Sequence, residues 1–240
     1  MFESVFQTFT EASDPAHGAA RLAALRAELA RRGLDGFIAP RADEHQNEYV
    51  PANAERLAWL TGFTGSAGVV VVLPDTAALF VDGRYTLQAP QQVDAAAFAI
   101  VATAEISPEA WLEQHARKGA RIGCDGRLHT PGQFARLEKA AKAAGAELVV
   151  CDTNPIDAVW RDRPAAPHAP IRLHPARYAG ESAARKLTRV AAALTGDALL
   201  VSDPHAMAWA FNIRGGDVAH TPLPLGHALI EKSGAARLYL

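Results

Sequence analysis

Cysteine, long apolar runs and a charge excess are all scarce in this chain. Its 240 residues hold two cysteines, Cys124 and Cys151, with no CxxC spacing. That usage excludes a disulfide scaffold and a zinc ribbon, and reads as a reduced chain with buried thiols. No apolar run is long enough to span a bilayer. The opening residues M-F-E-S-V-F-Q-T lack the basic and apolar regions of a secretion signal. Lys and Arg number 24 against 26 Asp and Glu, a formal net charge of −2. Neither nucleic acid nor a membrane is therefore expected as a partner, and a cytoplasmic location is expected. The nine histidines form no HxxxH or HxH pair, and there is no G-x-S-x-G elbow.

What is present is organised around residues 55–85, E-R-L-A-W-L-T-G-F-T-G-S-A-G-V-V-V-V-L-P-D-T-A-A-L-F-V-D-G-R-Y. It reads as helix, glycine-rich turn, strand, hairpin and second strand. Residues 69–73 are apolar without alternation, which predicts a strand covered on both faces. Pro74-Asp75 turns the chain into a strand at 77–81. Gly62, Gly65 and Gly68 lead into a strand and no Lys-Ser/Thr follows, so they read as a tight turn with close packing, not as a phosphate loop. Arg84 stands where that second strand hands over to a helix kinked at Pro90. A cation gains nothing from a helix N-terminus, so Arg84 is either a ligand-binding group or the partner of Asp82.

Upstream, Asp14-Pro15 predicts a helix start, and Leu22, Leu25 and Leu29 mark its apolar stripe up to Gly33. Residues 1–12 read as an N-terminal arm. A strand is expected at 36–40, then a polar loop at 41–54. In that loop Glu44, His45 and Glu48 match no zinc spacing and read as solvated. Downstream, strands are expected at 98–103, 121–124 and 147–151. Helices are expected after Ser107-Pro108, with Trp111 and Leu112 inward and an end at Gly119, and after Thr130-Pro131, with Phe134 and Leu137 inward. This is an α/β unit on a mixed sheet flanked by helices. Residues 155–170 are proline-rich and read as a stiff linker, with a domain boundary near 165.

Beyond it the element order recurs: a helix at 180–194, a strand at 198–201, then H-A-M-A-W-A-F-N-I-R-G echoing E-R-L-A-W-L-T-G-F-T-G, tryptophan for tryptophan. Strands at 228–231 and 237–240 stand where 69–73 and 77–81 stood. An internal duplication is inferred, with domains at 1–163 and 164–240 and the second cut short, so that the chain is read as the front of a longer polypeptide. The cluster Arg214-Gly-Gly-Asp217-Val-Ala-His220-Thr-Pro222 reads as a turn closed by a salt bridge or as a ligand site. Asn212 reads as a helix cap or a contact residue.

Five stretches together carry a resemblance: R-A-D-E-H-Q-N-E-Y-V-P, L-T-G-F-T-G-S-A-G, F-V-D-G-R-Y-T-L-Q-A, A-V-W-R-D-R-P and A-W-A-F-N-I-R-G-G-D-V-A-H-T-P. In this order they resemble the N-terminal part of three-domain, cytosolic-type Xaa-Pro aminopeptidases. The resemblance implies a creatinase-type N-terminal domain with a ribonuclease-H-like mixed sheet, a second domain of similar fold, and a C-terminal "pita-bread" catalytic domain. That last domain would hold two divalent metal ions, usually manganese, and none of its ligands falls in this sequence. It implies a peptide substrate with proline second, a homodimer, and Arg84 as the substrate-binding residue. This chain alone is then expected to be inactive. Two alternatives remain: a stand-alone peptide-binding or dimerisation module, and a prolidase- or creatinase-type parent.

Overall fold

The computed structural model describes residues 13–240, so the arm expected at 1–12 lies outside the described residues. Internal contacts divide the chain into two units.

The first unit comprises residues 13–41 and Glu55–Arg163. Asp14 accepts the Ala16 amide and Pro15 follows it, opening a 3₁₀ turn that runs into α1 (Gly18–Arg31). Then come β1 (Gly36–Pro40), α2 (Arg56–Thr61), β2 (Val69–Val72), β3 (Ala77–Val81), α3 (Gln88–Gln92) and β4 (Ala99–Ala102). They are followed by α4 (Pro108–His115), β5 (Arg121–Cys124), α5 (Pro131–Ala143), β6 (Glu147–Val150) and α6 (Pro155–Val159). The six strands form one sheet in the order β4-β3-β2-β1-β5-β6. The pairs β1/β2 and β2/β3 are antiparallel, and the other three are parallel. The mixed sheet is as expected.

Successive side chains on a strand point to opposite faces, and both faces here are covered. Phe37, Val70, Val72, Leu79 and Val81 pack with Leu22, Leu25 and Leu29 of α1, Leu57 and Leu60 of α2, and Ile156 of α6. Ile38, Val71, Ala78 and Phe80 pack with Trp111 and Leu112 of α4 and Leu137 and Ala141 of α5. This is why 69–72 is apolar at every position. Each fully buried valine contributes about 1.5–3 kcal/mol.

Local chemistry sets the helix ends. Ser107 caps α4, and a Thr130–Gln133 capping box opens α5. Three expectations need correction. Pro90 does not kink a helix, because α3 begins at Gln88 and places the proline in its first turn, where the N–H it lacks would have had no intrahelical acceptor. α4 ends at His115 and not at Gly119. The start of the proline-rich stretch is no linker. Asn154 caps α6, Ile156 is fully buried, and Trp160 stacks on Trp59 with ring centroids 5.5 Å apart. Residues 155–163 therefore close one face of the first unit.

The second unit comprises Ala42–Ala54 and Pro164–Leu240. Its elements are β7 (Arg172–Leu173), α7 (Ala176–Ala179), α8 (Ala183–Ala193), β8 (Ala198–Val201), α9 (Pro204–Phe211), β9 (Ile213–Arg214), β10 (His227–Glu231) and β11 (Ala236–Tyr239). The helix expected at 180–194 starts later, because Gly180 ends α7 in the left-handed region (φ 73°) and Ser182 caps α8. The strands β11-β10-β8 form an antiparallel sheet, and β7 pairs with β9. Val201, Met207, Ala210, Ala228 and Ile230 make its core.

The order α8-β8-α9-β10-β11 repeats α1-β1-α2-β2-β3, with the same antiparallel pairings. One detail repeats at the level of atoms. Arg21 of α1 donates to the Trp59 carbonyl and lies over the Trp59 ring at 4.9 Å. Lys186 of α8 donates to the Trp209 carbonyl and lies over the Trp209 ring at 4.6 Å. A cation from the first helix thus satisfies a carbonyl at the second helix's C-terminal end in both copies.

The segment Ala42–Ala54, which sequence order puts in the first domain, groups with the second unit. Its organiser is Asp43, 1% exposed, whose carboxylate accepts the amides of His45 and Asn47 and the Asn47 side chain.

Candidate functional site

Two places in the fold gather the polar groups that the sequence singles out. The first is the end of β3. Asp82 accepts the Arg84 amide at 2.9 Å and opens a 3₁₀ turn over Gly83–Tyr85. The same carboxylate holds the Arg84 guanidinium in a fork, Nε to Oδ1 at 3.0 Å and Nη2 to Oδ2 at 2.8 Å. The hydrogen bond from the Arg84 side chain holds the Asp82 carboxyl below the usual range. Arg84 is 62% exposed and lies over the Tyr85 ring at 5.1 Å. Of the two readings of Arg84, the partnership with Asp82 is thus present.

Hydrogen bonds and a ring contact hold Tyr85, the residue beside Arg84. The Tyr85 hydroxyl accepts the Ser66 amide at 2.9 Å and shares a 2.5 Å hydrogen bond with the Ser66 hydroxyl. Its ring meets Phe63 edge-on at 5.2 Å. Thr64, Gln88 and Gln92 form a hydrogen-bonded set beside it. The three glycines are packing residues, as expected. Gly62 takes φ +84° at the C-cap of α2. A Cβ on Gly65 would stand 2.7 Å from the Tyr85 ring, and one on Gly68 2.8 Å from Leu57.

The Asp-Gly-Arg turn occurs twice. At the end of β5, Asp125 accepts the Arg127 amide and holds its guanidinium through Nε and Nη2 at 3.1 and 3.0 Å. Sequence reasoning missed this copy, although D-G-R-L at 125–128 was there to be compared with D-G-R-Y. The fork is therefore a property of the turn. What sets Arg84 apart is its setting of Tyr85, Ser66, Thr64 and Gln88.

The second place is in the second unit. Asn212 ends α9 in the left-handed region (φ 50°), accepts from buried Lys186 at 2.7 Å and donates to the Glu181 carbonyl at 2.9 Å. It is thus the cap of α9, and both of these bonds are within the chain. Asp217 makes no salt bridge with Arg214, which corrects one of the two readings of this cluster. Its two oxygens accept the backbone amides of Ala169 and Leu225 at 2.9 and 2.7 Å. Arg214 donates to the Ile213 carbonyl at 2.8 Å. It lines a cavity of about 320 Å³ with Trp209, His205 and His220.

The Glu44, His45 and Glu48 group separates. Glu44 and Glu48 are exposed, whereas His45 packs, with Nδ1 2.9 Å from the Ser202 carbonyl and its ring 4.8 Å from His227. Among the described residues, no group of three or more His, Cys, Asp or Glu side chains is disposed to hold a metal ion. No described helix is long and apolar enough to cross a membrane.

Both thiols are free, Cys124 buried and Cys151 half-buried. Burial pushes the Cys124 thiol up to about 12, so the reactive thiolate is absent at neutral pH. Thiol labelling of the native chain at pH 8 is expected to modify Cys151 first, with Cys124 reacting only on unfolding. Equal native rates at the two sites would contradict the packing of β5.

A family model described as "Creatinase/Prolidase N-terminal domain" matches residues 21–159, and another of the same description matches 162–240. The chain belongs to the creatinase/prolidase N-terminal domain family. The second copy of helix-strand-helix-strand-strand falls within one of these matches, and the first lies within the other except for the opening turn of α1 at Gly18. Relatives are similar along almost the whole chain. A "Probable Xaa-Pro aminopeptidase P" of Coccidioides posadasii (strain C735) is 34% identical over 241 residues, covering 98% of this chain and 37% of that protein. One from Aspergillus niger is 36% identical over 216 residues, covering 88% of this chain and 35% of that protein. The crystal structure of X-prolyl aminopeptidase from Caenorhabditis elegans, described as a cytosolic enzyme with a di-nuclear active site, superposes with a TM-score of 0.86. It is 28% identical and covers 92% of this chain and 38% of that one. This creatinase-type chain thus spans a little over a third of the length of the relatives it matches.

Proposed function

We propose that this chain is the N-terminal, non-catalytic portion of a metal-dependent aminopeptidase that removes the first residue from peptides with proline second. The observation that carries the reading is likeness to Xaa-Pro aminopeptidases along nearly the whole chain, at little over a third of their length. The worm enzyme's di-nuclear site and cytosolic description support a two-metal, cytoplasmic parent; manganese is proposed as the metal on the family resemblance alone. Such ions would polarise the scissile carbonyl and activate water. The described residues offer no cluster that fits them. The parent is proposed to act as a homodimer, and relatives named Xaa-Pro aminopeptidase P along nearly the whole chain favour this parent over a prolidase or creatinase.

Within that reading Arg84 binds the peptide substrate. Asp82 and Tyr85 fix the guanidinium's direction, so little side-chain entropy is lost when it meets a carbonyl or carboxylate through parallel hydrogen bonds. In the polypeptide that includes the catalytic portion, Arg84→Ala is expected to lower kcat/KM for an Xaa-Pro-Xaa tripeptide roughly tenfold to a hundredfold. Metal content should be unchanged. Arg127→Ala, in the twin turn, is the control and should leave kcat/KM near wild type once matched for folded fraction. Unaltered kcat/KM in Arg84→Ala, or equal loss of metal and turnover, would overturn the assignment.

A further inference from the structure

The second copy of the fold leaves open what the first copy covers. In the first unit Trp59 carries Arg21 and is stacked by Trp160, while Asp157, three residues before Trp160, holds Arg56 in a two-pronged ion pair. A carboxylate and an aromatic ring on one short segment thus cover a tryptophan and an arginine. In the second unit Trp209 carries only cations, Lys186 and Arg189, and is 44% exposed. Among the described residues it has no aromatic partner.

The charge around it is also uncompensated. Arg214 is half-buried, and among the described residues no carboxylate reaches it; its hydrogen bond goes to the Ile213 carbonyl. On the paired strand Arg172 stands directly opposite Arg214, and it too lacks a carboxylate partner among the described residues. Like charges facing across a strand pair are destabilising. The cavity of about 320 Å³ that Arg214 lines is also lined by His205, His220, Trp209, Pro222 and Leu223, and no Asp or Glu lines it. Acids elsewhere in this unit are engaged, Asp203 with His205, Glu181 with Arg189, and Asp217 with the Ala169 and Leu225 amides. His220 is held in the left-handed region at φ +59°, a conformation that costs a non-glycine residue free energy and clusters at ligand sites. Its volume is that of a small-ligand pocket.

We propose that this pocket is a binding site for an aromatic carboxylate, with Arg214 forking the carboxylate and Trp209 taking the ring. It lies in the second unit and does not depend on the role of Arg84, so each can fail without the other. The chemistry could arrive as a free aromatic acid or peptide C-terminus, or as an acidic side chain beside an aromatic one.

Isothermal titration of the 240-residue chain with N-acetyl-L-phenylalanine, its uncharged amide, and N-acetyl-Asp-Phe-amide tests this. The acid, the Asp-Phe peptide or both should bind saturably, and the simple amide should not. Tighter binding of the acid identifies a terminal carboxylate as the natural chemistry, and tighter binding of the Asp-Phe peptide identifies a side chain. Arg214→Gln is expected to weaken binding about tenfold or more, and Arg214→Lys, which keeps the charge but loses the fork, by less. Thermal melts check both variants, and Arg214→Lys decides the matter if Arg214→Gln does not fold. Absence of saturable binding by either carboxylate, equal affinity for acid and amide, or wild-type affinity in a folded Arg214 variant would overturn the proposal.

Discussion

Replacing Asp157 by alanine is expected to destabilise the first unit by about 3–5 kcal/mol, because it strands a buried guanidinium. The Arg56 side chain is 7% exposed, and Asp157 meets it with Oδ1 at 2.7 Å and Oδ2 at 2.9 Å. The same carboxylate takes Arg163 at 2.9 Å. Truncation removes the shared acceptor of two arginines and loosens the segment that lays Trp160 on Trp59. Removing both members of such a pair costs far less than removing one. Urea unfolding should therefore show a large fall in midpoint for Asp157→Ala and substantial recovery in Arg56→Met/Asp157→Leu. A single-variant loss under about 1 kcal/mol would mean the pair is as weak as an exposed one.

Gly62→Ala is expected to cost about 2–4 kcal/mol, from two sources that can be separated. Gly62 has φ +84°, and a Cβ there would stand on the Gln92 carbonyl oxygen and 2.8 Å from Ser13 Oγ. Ser13 itself donates to the Gly62 and Gln92 carbonyls, so the neighbours are tied together and cannot withdraw cheaply. Gly119 has φ +80° but nothing within 4 Å of its would-be Cβ, so Gly119→Ala reports the backbone cost alone, about 1 kcal/mol. Gly83, in the Asp82–Arg84 turn, has neither a positive φ nor a near neighbour, so Gly83→Ala should be neutral. The ordering Gly62, Gly119, Gly83 in loss of stability is the expected result. Equal losses at Gly62 and Gly119 would show that the approach to Gln92 carries no energy.

Much of this was legible in the sequence because the causes are local. The unbroken apolar run 69–72 sits in a central strand with helices on both faces, and Asp14, Ser107 and Thr130 cap the helices they precede. The recurrence of a tryptophan-centred helix and a strand pair gave the second copy. What escaped notice depends on distant partners. Residues 155–163 look like a linker by proline content, and only the meeting of Asp157 with Arg56 and Trp160 with Trp59 makes them a cover. Asp217 looked like a partner for Arg214, yet the chain path brings the Ala169 and Leu225 amides to it first. Pairing of Arg172 with Arg214 is a matter of register between residues 42 apart in number, which no local pattern encodes. At the candidate site the Asp82–Arg84 fork was readable from D-G-R-Y, whereas the hydrogen bond of Tyr85 with Ser66 beside it was not.

In the proposed function this chain supplies the fold and a substrate clamp, and bond cleavage belongs to the rest of an aminopeptidase polypeptide. Hydrolysis of an Xaa-Pro-Xaa tripeptide in the presence of manganese, by the 240-residue chain alone and by a polypeptide that also carries the catalytic portion, measures this directly. The expected result is no turnover by the first and metal-dependent release of the N-terminal residue by the second. Turnover by the 240-residue chain on its own would contradict it.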